Sequence, residues 1–173
     1  MDTHDTRPNR VHIIGGAGSG KTTLAQEYAR QCSVSHHDLD HIMWTHAAAR
    51  QPRPETERDL LLQQTIASDQ WVTEGIFWQA WVAPAFERAD KIILLNIPEA
   101  MRHYRVIKRH FQLLRQADRA DYHLFFPTLL ELIRLNRLYQ RGPYKRTLQA
   151  LSGFMEKVEI CTSNKEASRA LGI

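Results

Sequence analysis

Cysteine is scarce in this chain, and long apolar runs are absent. The two cysteines, Cys32 and Cys161, are too few for the disulfide framework of a small secreted domain. No segment approaches the ~20 consecutive apolar residues that span a bilayer, and the polar residues 1–9 do not resemble a signal peptide. We therefore expect a cytoplasmic protein that has no membrane partner.

Neither the charge nor the composition is extreme. The 173 residues include 23 Lys and Arg against 19 Asp and Glu, which gives a net charge of +4. An excess this small fits an anionic small molecule as well as a nucleic acid, so charge alone does not identify a partner. Composition excludes collagen-like, low-complexity and strongly disordered chains. The length suits a single domain, which we expect to comprise 1–173.

Short apolar strands alternate with helical segments along the chain. We predict strands at 11–14, 33–37, 71–74, 91–95 and 158–161. We predict helices at 21–31, 55–68, 80–89, 98–116, 128–140 and 144–155, and a closing helix that Ser163 and Glu166 begin as a capping box. This alternation predicts a parallel sheet covered on both faces, which binds ligands at the carboxyl ends of its strands.

A glycine-rich segment follows the first predicted strand. Residues 15–22 match the phosphate-loop pattern G-x-x-x-x-G-K-[ST], in which tight turns aim backbone N–H groups at phosphate oxygens. Lys21 is expected to bridge the β- and γ-phosphates, and the Thr22 hydroxyl to ligate Mg²⁺. The predicted nucleotide-binding residues are Gly15, Gly16, Ala17, Gly18, Ser19, Gly20, Lys21, Thr22 and Thr23. A GTPase switch would need a guanine-reading Asn/Thr-Lys-x-Asp segment, which the sequence lacks. We predict ATP as the nucleotide and leave GTP open.

Carboxylates at the strand ends are the candidates for metal and acceptor chemistry. Protein-bound Mg²⁺ retains much of its water, so it needs carboxylates that hold those waters. Glu74 ends the third predicted strand before Gly75, and we predict that it holds Mg²⁺ through water. Asp38 is placed near the metal in the same way, and Asp40 is predicted to orient an acceptor hydroxyl. A solvated turn or a helix N-cap is the alternative for these two aspartates.

Aromatic and histidine residues surround these acids. Trp44 and Trp78 lie in predicted loops beside Asp40 and Glu74, where they would stack on a planar acceptor. The alternative is that most aromatic residues here belong to the core. A transition-metal site is a weaker hypothesis, because the aspartates break the ligand spacing of the neighbouring histidines His36, His37 and His41.

The positive charge is concentrated in two segments that contain no acid. The first holds Arg102, Arg105, Lys108, Arg109 and Arg115; the second holds Arg134, Arg137, Arg141, Lys145 and Arg146. Arg105 and Arg109 share a helix face and are predicted to stabilise the migrating phosphoryl group, with a solvated helix face as the alternative. The second segment completes a lid, binds an acceptor phosphate or contacts nucleic acid, and we place Arg137 among the acceptor-binding residues.

With these motifs in place, the chain resembles the adenylate-kinase-like P-loop kinases, and more narrowly the FlaR-type "DNA topology modulation protein" family. The residues that carry the resemblance are the phosphate loop, Leu39-Asp40, Glu74-Gly75 and Arg105-x-x-Lys108-Arg109. The resemblance implies an α/β P-loop NTPase fold, with a five-stranded parallel sheet in the order 2-3-1-4-5, flanking helices and a helical lid at about 102–146. It also implies that the loop 162–165, with Ser163 and Asn164, lies beside the adenine.

We therefore predict an ATP- and Mg²⁺-dependent kinase that acts on a nucleotide, a nucleoside or another small hydroxyl acceptor. The predicted catalytic residues are Lys21, Asp40, Arg105 and Arg109, and the predicted acceptor-binding residues are Asp38, Asp40, Trp44, Glu74, Gly75, Trp78 and Arg137. The alternative is a nucleotide-dependent regulatory ATPase that binds nucleic acid through 134–146. We expect a monomer or a homodimer.

Overall fold

Strands and helices alternate in the computed structural model, which describes residues 7–45, 51–116 and 129–173. The strands are β1 (Arg10–Gly15), β2 (Ser35–Asp38), β3 (Trp71–Gly75), β4 (Lys91–Leu95) and β5 (Val158–Cys161). The helices are α1 (Lys21–Cys32), α2 (Leu39–Met43), α3 (Glu55–Ile66), α4 (Ala83–Arg88), α5 (Glu99–Gln116), α6 (Leu129–Arg141), α7 (Pro143–Ala150) and α8 (Asn164–Leu171). Short 3₁₀ helices occur at Ala80–Val82 and Ser152–Lys157.

The strands form one parallel sheet in the order β2-β3-β1-β4-β5, which confirms the predicted order. The central strand β1 places Ile13 beside Glu74 of β3 on one side and beside Ile93 of β4 on the other. Because all strands run in the same direction, their carboxyl ends meet at one edge of the sheet. The phosphate loop after β1, helix α2 after β2 and the loop after β5 therefore lie at the same edge.

Apolar side chains cover both faces of the sheet. One buried cluster includes Leu39, Leu62, Trp71, Phe86, Ile92 and Leu151, and the other includes Val11, Ile13, Tyr28, Val72, Ile93 and Leu171. Burying one such large side chain contributes roughly 1.5–3 kcal/mol, so the two clusters fix the strands in register. None of the helices in the described part of the chain is long and apolar enough to cross a bilayer.

The chain after α1 differs from the prediction. The second strand spans Ser35–Asp38 rather than 33–37, and residues 39–43, for which a turn or a helix N-cap is one of the alternatives, form helix α2. The side chain of Asp38 accepts a hydrogen bond from the backbone N–H of Asp40 at 2.8 Å. Aspartate is a preferred N-cap residue, and this bond begins the helix at Leu39.

Two further predicted helices are divided or shortened in the structure. The predicted start of a third helix lies outside the described residues. The predicted helix 80–89 is a 3₁₀ turn followed by α4, and the predicted helix 144–155 ends at Ala150 before a second 3₁₀ segment. Phe154 has a φ of −128°, which no α-helix accommodates. Position 128, the predicted start of another helix, lies outside the described residues, and helix α6 runs over Leu129–Arg141.

A histidine lies in the middle of the sheet. His12 of β1 is fully buried, and its Nδ1 lies 2.8 Å from the Oγ1 of Thr73 on the adjacent strand. The ring also packs edge-on against Phe86, with 5.1 Å between the ring centres. Burial lowers the pKa of His12 from 6.5 to about 4, although the negative charge of Glu74 opposes this. His12 is therefore neutral near pH 7.

We expect the free energy of unfolding to fall as the pH drops from 6.5 towards 4. The unfolded chain binds a proton at His12 near pH 6.5, whereas the folded chain binds one only near its lowered pKa of about 4. The stability contribution is therefore complete above pH 6.5 and is lost across this window, by about 3 kcal/mol at pH 4. Denaturant titrations of the wild type and of His12→Gln at several pH values measure this slope.

The matched control is His110→Gln, which removes a histidine from helix α5, outside the sheet. We expect this variant to retain the pH slope of the wild type, whereas His12→Gln loses the part that His12 contributes. A wild-type slope in His12→Gln would show that other groups cause the acid sensitivity.

Candidate phosphate-binding site

The phosphate loop adopts the tight turn that its glycines predict. Gly18 and Gly20 have φ values of 74° and 89°, which glycine adopts without strain. At Gly18 a Cβ atom would also lie only 2.6 Å from the carbonyl oxygen of Arg102. The backbone N–H of Ser19 donates to the carbonyl of Gly16 at 3.2 Å and closes the turn. Helix α1 then begins at Lys21.

Three side chains surround Glu74, and two of them, Lys21 and Thr22, belong to the predicted site. Its side chain is fully buried at the end of β3. The Thr22 hydroxyl donates to Glu74 Oε1 at 2.6 Å, and Lys21 Nζ lies 3.8 Å from Oε2. From strand β2, His36 Nε2 lies 3.8 Å from Oε1. The loop, helix α1 and two strands thus surround one carboxylate.

The surroundings of Glu74 keep it ionised. Burial favours the neutral acid, but His36, Lys21 and Thr22 outweigh this effect and lower the pKa of Glu74. Its Oε2 is buried and accepts no hydrogen bond from the described residues. A buried carboxylate oxygen without a donor is costly, so this atom is suited to accept one from a bound water.

The oxygen atoms at this edge of the sheet fit a magnesium ion. Thr22 offers a hydroxyl, Glu74 offers an oxygen that accepts no hydrogen bond from the described residues, and Asp38 is the register neighbour of Glu74 on β2. Mg²⁺ takes few ligands from protein and many from water and phosphate. The described residues contain no cluster of three His, Cys, Asp or Glu side chains that would hold a metal by itself.

Helix α2 carries the two aspartates at this edge. Asp38 is its N-cap, which is the alternative that the sequence left open. Burial raises the pKa of Asp38, and the negative charge of Glu74 adds to this effect. Asp40 lies one residue into the helix, and its Oδ1 accepts the indole N–H of Trp44 at 3.1 Å. The structure thus brings together Asp40 and Trp44, which we predict to bind the acceptor.

Arg53 holds the end of this short helix, a role that no sequence pattern indicates. Its guanidinium donates to the carbonyls of Ile42 at 3.0 Å and Trp44 at 3.3 Å, and it forms an ion pair with Glu57 of α3. The final carbonyls of a helix have no partner within the helix. Arg53 satisfies them and fixes the position of the segment that carries Asp40.

We expect Asp38→Asn to raise the unfolding temperature of the unliganded protein at pH 7 by a few degrees. The folded-state pKa of Asp38 is raised, so the ionised carboxylate reduces stability at any pH above that value. Asparagine is also a good N-cap residue and removes the charge. Calorimetry at pH 7, and at a pH low enough to protonate Asp38 in both states, measures the difference, which should vanish in acid.

Asp59→Asn, on the exposed side of α3, is the control for the loss of one negative charge. We expect it to leave the unfolding temperature within about a degree of the wild type, because exposed ion pairs contribute little. A lower unfolding temperature for Asp38→Asn than for the wild type at pH 7 would contradict the expected stabilisation.

Arg105 and Asn164 both lie against the phosphate loop. Arg105 Nη1 donates to the carbonyl of Ser19 at 2.9 Å and to Asn164 Oδ1 at 2.8 Å. The side-chain amide of Asn164 donates to the same carbonyl at 3.2 Å. Ser163, before it, is the N-cap of α8 and accepts the N–H of Glu166 at 3.1 Å. Helix α5 and the loop after β5 therefore meet at the phosphate loop.

Other predicted residues do not meet there. Arg109 is exposed, and no hydrogen bond or ion pair joins it to the described residues, because only the face of α5 with Arg102 and Val106 is buried. Arg137 is exposed, with its Nε 3.8 Å from Glu99. Trp78 is half-buried beneath the guanidinium of Arg146, 5.8 Å from the ring centre. The roles predicted for these residues stay predictions.

Sequence reasoning misses the roles of two other residues of the site. The histidine pattern suggests His36 only as a metal ligand, yet the period of two along a strand places it on the same face as Asp38. Arg102 resembles the exposed cations of α5 in sequence, yet it is 1% exposed and packs against the loop. The sequence pattern predicts that Arg102 lies on a helix, but it does not predict which face of α5 is buried.

The comparisons with known proteins begin with sequence. No family model matches the chain. A stretch of 102 residues is 26% identical to YqaC, an uncharacterized protein of Bacillus subtilis strain 168. The match covers 59% of this chain and 57% of YqaC, so it spans little more than half the length of that relative.

Solved structures give a fuller match. A shikimate kinase from Bacteroides thetaiotaomicron aligns over 96% of this chain and 99% of its own, with a TM-score of 0.56 and 16% identity. An uncharacterized protein from Eubacterium ventriosum aligns over 93% of this chain and 94% of its own, with a TM-score of 0.53 and 10% identity. The sheet order and this structural match together show a P-loop NTPase fold.

Proposed function

We propose that this protein is an ATP- and Mg²⁺-dependent phosphotransferase that acts on a nucleotide, a nucleoside or another small hydroxyl compound. The observation that carries the proposal is the buried Glu74, which accepts a hydrogen bond from Thr22 and lies 3.8 Å from Lys21. A glycine-rich turn alone would not need an ionised carboxylate behind it. A buried carboxylate with one oxygen that accepts no hydrogen bond from the described residues supports a metal–nucleotide site.

Each residue of the loop has a chemical role in this proposal. The backbone of residues 15–23 cradles the phosphates, and Lys21 places a point charge on the β- and γ-phosphates. Thr22 would hold Mg²⁺ directly, and Glu74 and Asp38 would hold it through water. When bound there, Mg²⁺ would supply positive charge beside the phosphates. Arg105, which lies on the loop, would stabilise the migrating phosphoryl group together with Arg109. Ser163 and Asn164 would lie beside the adenine.

The acceptor would bind on the side of helix α2. Asp40 would orient the acceptor hydroxyl and take its proton as the acceptor oxygen bonds to the γ-phosphorus and the bond from that phosphorus to the leaving ADP breaks. Trp44 donates to Asp40 and holds that carboxylate in place. The further acceptor-binding residues in this proposal are Asp38, Glu74, Gly75, Trp78 and Arg137. Gly75 packs against Leu39, where an added Cβ would lie 3.1 Å from the Leu39 Cβ, so a larger side chain would displace α2.

The test is acceptor-dependent conversion of ATP to ADP. The purified protein, ATP and Mg²⁺ are incubated with a panel of nucleoside monophosphates, nucleosides and small alcohols, and ADP formation is followed. Mass spectrometry then identifies an acceptor that has gained a phosphoryl group. We expect at least one acceptor to increase ADP formation well above basal hydrolysis. Binding of ATP without acceptor-dependent turnover across the panel would contradict the proposal.

A second candidate is supported by the exposed cations of α6 and α7. Arg134, Arg137, Arg141, Lys145 and Arg146 are all exposed, with no acid between them. These five cations would bind the phosphate backbone of a nucleic acid, and the protein would then be a regulatory ATPase. This candidate predicts ATP hydrolysis that DNA or RNA stimulates and binding that weakens steeply with salt. Binding that does not respond to salt would exclude it.

The FlaR-type assignment is part of the proposal, supported by the phosphate loop and by the Leu39-Asp40, Glu74-Gly75 and Arg105-x-x-Lys108-Arg109 motifs.

We also propose that 1–173 is a single kinase domain in which 102–146 forms a lid over the nucleotide. Residues 117–128 of that segment lie outside the described residues. Location in the cytoplasm and a monomeric or homodimeric state stay predictions.

A further inference from the structure

Helix α5 places a buried arginine directly behind the phosphate loop. The Nη1 atom of Arg102 lies 2.7 Å from the position that a Cβ would take on Gly16. The carbonyl oxygen of Arg102 lies 2.6 Å from the corresponding position on Gly18. One residue therefore contacts the loop at two glycines. Close packing of this kind does not require a positive charge, so the charge needs another explanation.

The partners of Arg102 are all neutral. Its Nε donates to the carbonyl of Ile97 at 3.0 Å, and its Nη1 donates to the side-chain oxygen of Asn136. The ring centre of Tyr139 lies 5.2 Å from the guanidinium carbon. The Nη2 atom is buried and donates no hydrogen bond to the described residues.

No carboxylate of the described residues forms an ion pair with this cation. Glu99, one helical turn away, lies instead within 3.8 Å of Arg137 and 3.7 Å of His103. Burial lowers the pKa of Arg102, and the negative charge of Glu99, which favours the protonated guanidinium from a distance, does not outweigh this effect. A buried cation that is only partly compensated is stabilised by a further negative charge. The loop in front of Arg102 is where the negative phosphates of a nucleotide would lie, separated from the guanidinium by the backbone of Gly16.

We propose that Arg102 is a positioning residue that supplies buried positive charge to the phosphates through the phosphate loop. The inference depends on the proposed function, because it needs a nucleotide on the loop. Arg102 acts through Gly16 and Gly18 rather than by contact with the nucleotide. The side chains of Asn136 and Tyr139 on α6 hold the guanidinium there, so helix α6 helps to place this charge.

The test compares nucleotides that differ in phosphate charge. Calorimetric titration with Mg²⁺ present measures the affinity of the wild type and of Arg102→Met for ATP, ADP and adenosine. Methionine has a similar length and no charge. We expect Arg102→Met to lower the affinity for ATP by about tenfold or more, to lower that for ADP less, and to leave that for adenosine unchanged. The rise in unfolding temperature that ATP causes should shrink in parallel.

Two further variants separate charge from hydrogen bonding. Arg102→Lys keeps the charge but loses the planar fork, and we expect its ATP affinity to remain within about threefold of the wild type. Arg88→Met, at an exposed site on α4, controls for the loss of one positive charge and should leave all three affinities unchanged. If Arg102→Met does not fold, Asn136→Leu replaces it. That variant removes the oxygen that holds the guanidinium in place, and we expect it to lower the affinity for ATP more than that for adenosine. An unchanged ATP-to-adenosine ratio would overturn the inference.

The outcomes distinguish the inference from the function on which it rests. Equal losses for ATP, ADP and adenosine in Arg102→Met would overturn the inference, because a structural defect does not depend on phosphate charge. Loss of ATP affinity in Arg102→Lys as large as in the methionine variant would overturn it as well. A wild-type protein that binds none of the three ligands would overturn the proposed function, and the inference with it.

Discussion

Lys21→Met is expected to reduce acceptor-dependent phosphoryl transfer by roughly a thousandfold or more. The Lys21 ammonium lies 3.8 Å from the buried Glu74, at the start of α1, where the loop would present the β- and γ-phosphates. Charge spreads over the oxygens of the migrating group in the transition state, and a fixed cation stabilises that charge more than it stabilises bound ATP. The loss should therefore affect kcat more than the affinity for ATP.

Steady-state kinetics with the best acceptor, together with direct titration of ATP, separates these two effects. Lys21→Arg keeps the charge, but its planar fork does not fit the place of a compact ammonium, so we expect it to recover little activity. Arg30→Met removes an exposed cation from the last turn of the same helix and should leave turnover unchanged. Turnover of Lys21→Met within tenfold of the wild type would show that Lys21 does not act on the transferred group.

Lys21 has a second effect that a fold check must separate from the first. Its charge helps to hold the pKa of the buried Glu74 low, with His36 and Thr22. Without Lys21 that carboxylate loses part of its compensation, and the unliganded variant should be less stable at neutral pH. Thermal unfolding of Lys21→Met in the absence of nucleotide measures this cost, and kinetics should be recorded well below its unfolding temperature.

The sheet and the phosphate loop could be predicted because their signals are local. The apolar strand before Gly15, the glycines of the loop and the helix period after Lys21 all occur within some twenty residues. Glu74 followed from the end of an apolar strand, and the structure places it beside Thr22 at 2.6 Å. Residues in successive strands of a parallel sheet converge at one edge whatever their distance in sequence.

The remaining features of the site depend on tertiary packing, which a sequence pattern does not show. The sequence around Asp38 and Asp40 is compatible with an extended segment or with a turn. In the structure the Asp40 N–H donates a hydrogen bond to the Asp38 side chain, which caps a helix. Arg102 and Arg109 are both basic residues of α5, yet the first is buried against Gly16 and the second is exposed. The helix period predicts which residues share one face of a helix. It does not predict which of these faces packs against a loop that is distant in sequence.

Asp40→Asn is expected to lower acceptor phosphorylation by about a hundredfold to ten-thousandfold and to leave ATP affinity unchanged. The amide cannot take the proton of the acceptor hydroxyl, and it is isosteric with the carboxylate, so helix α2 should keep its position. Asp40 lies on that helix rather than on the phosphate loop, and its carboxylate accepts the indole N–H of Trp44 at 3.1 Å. The chemical step and nucleotide binding should therefore respond separately to this substitution.

This separation distinguishes the two candidate functions. In a kinase, Asp40→Asn abolishes acceptor-dependent turnover while slow, acceptor-independent hydrolysis of ATP continues at the wild-type rate. In an ATPase that nucleic acid stimulates, no acceptor hydroxyl is deprotonated, and the stimulated rate should survive the substitution. Trp44→Phe is the companion variant: it removes the indole donor that holds the Asp40 carboxylate in place, so it should lower kcat, although less than Asp40→Asn does, because the carboxylate itself remains. Full acceptor phosphorylation by Asp40→Asn would contradict the role of Asp40 as the base.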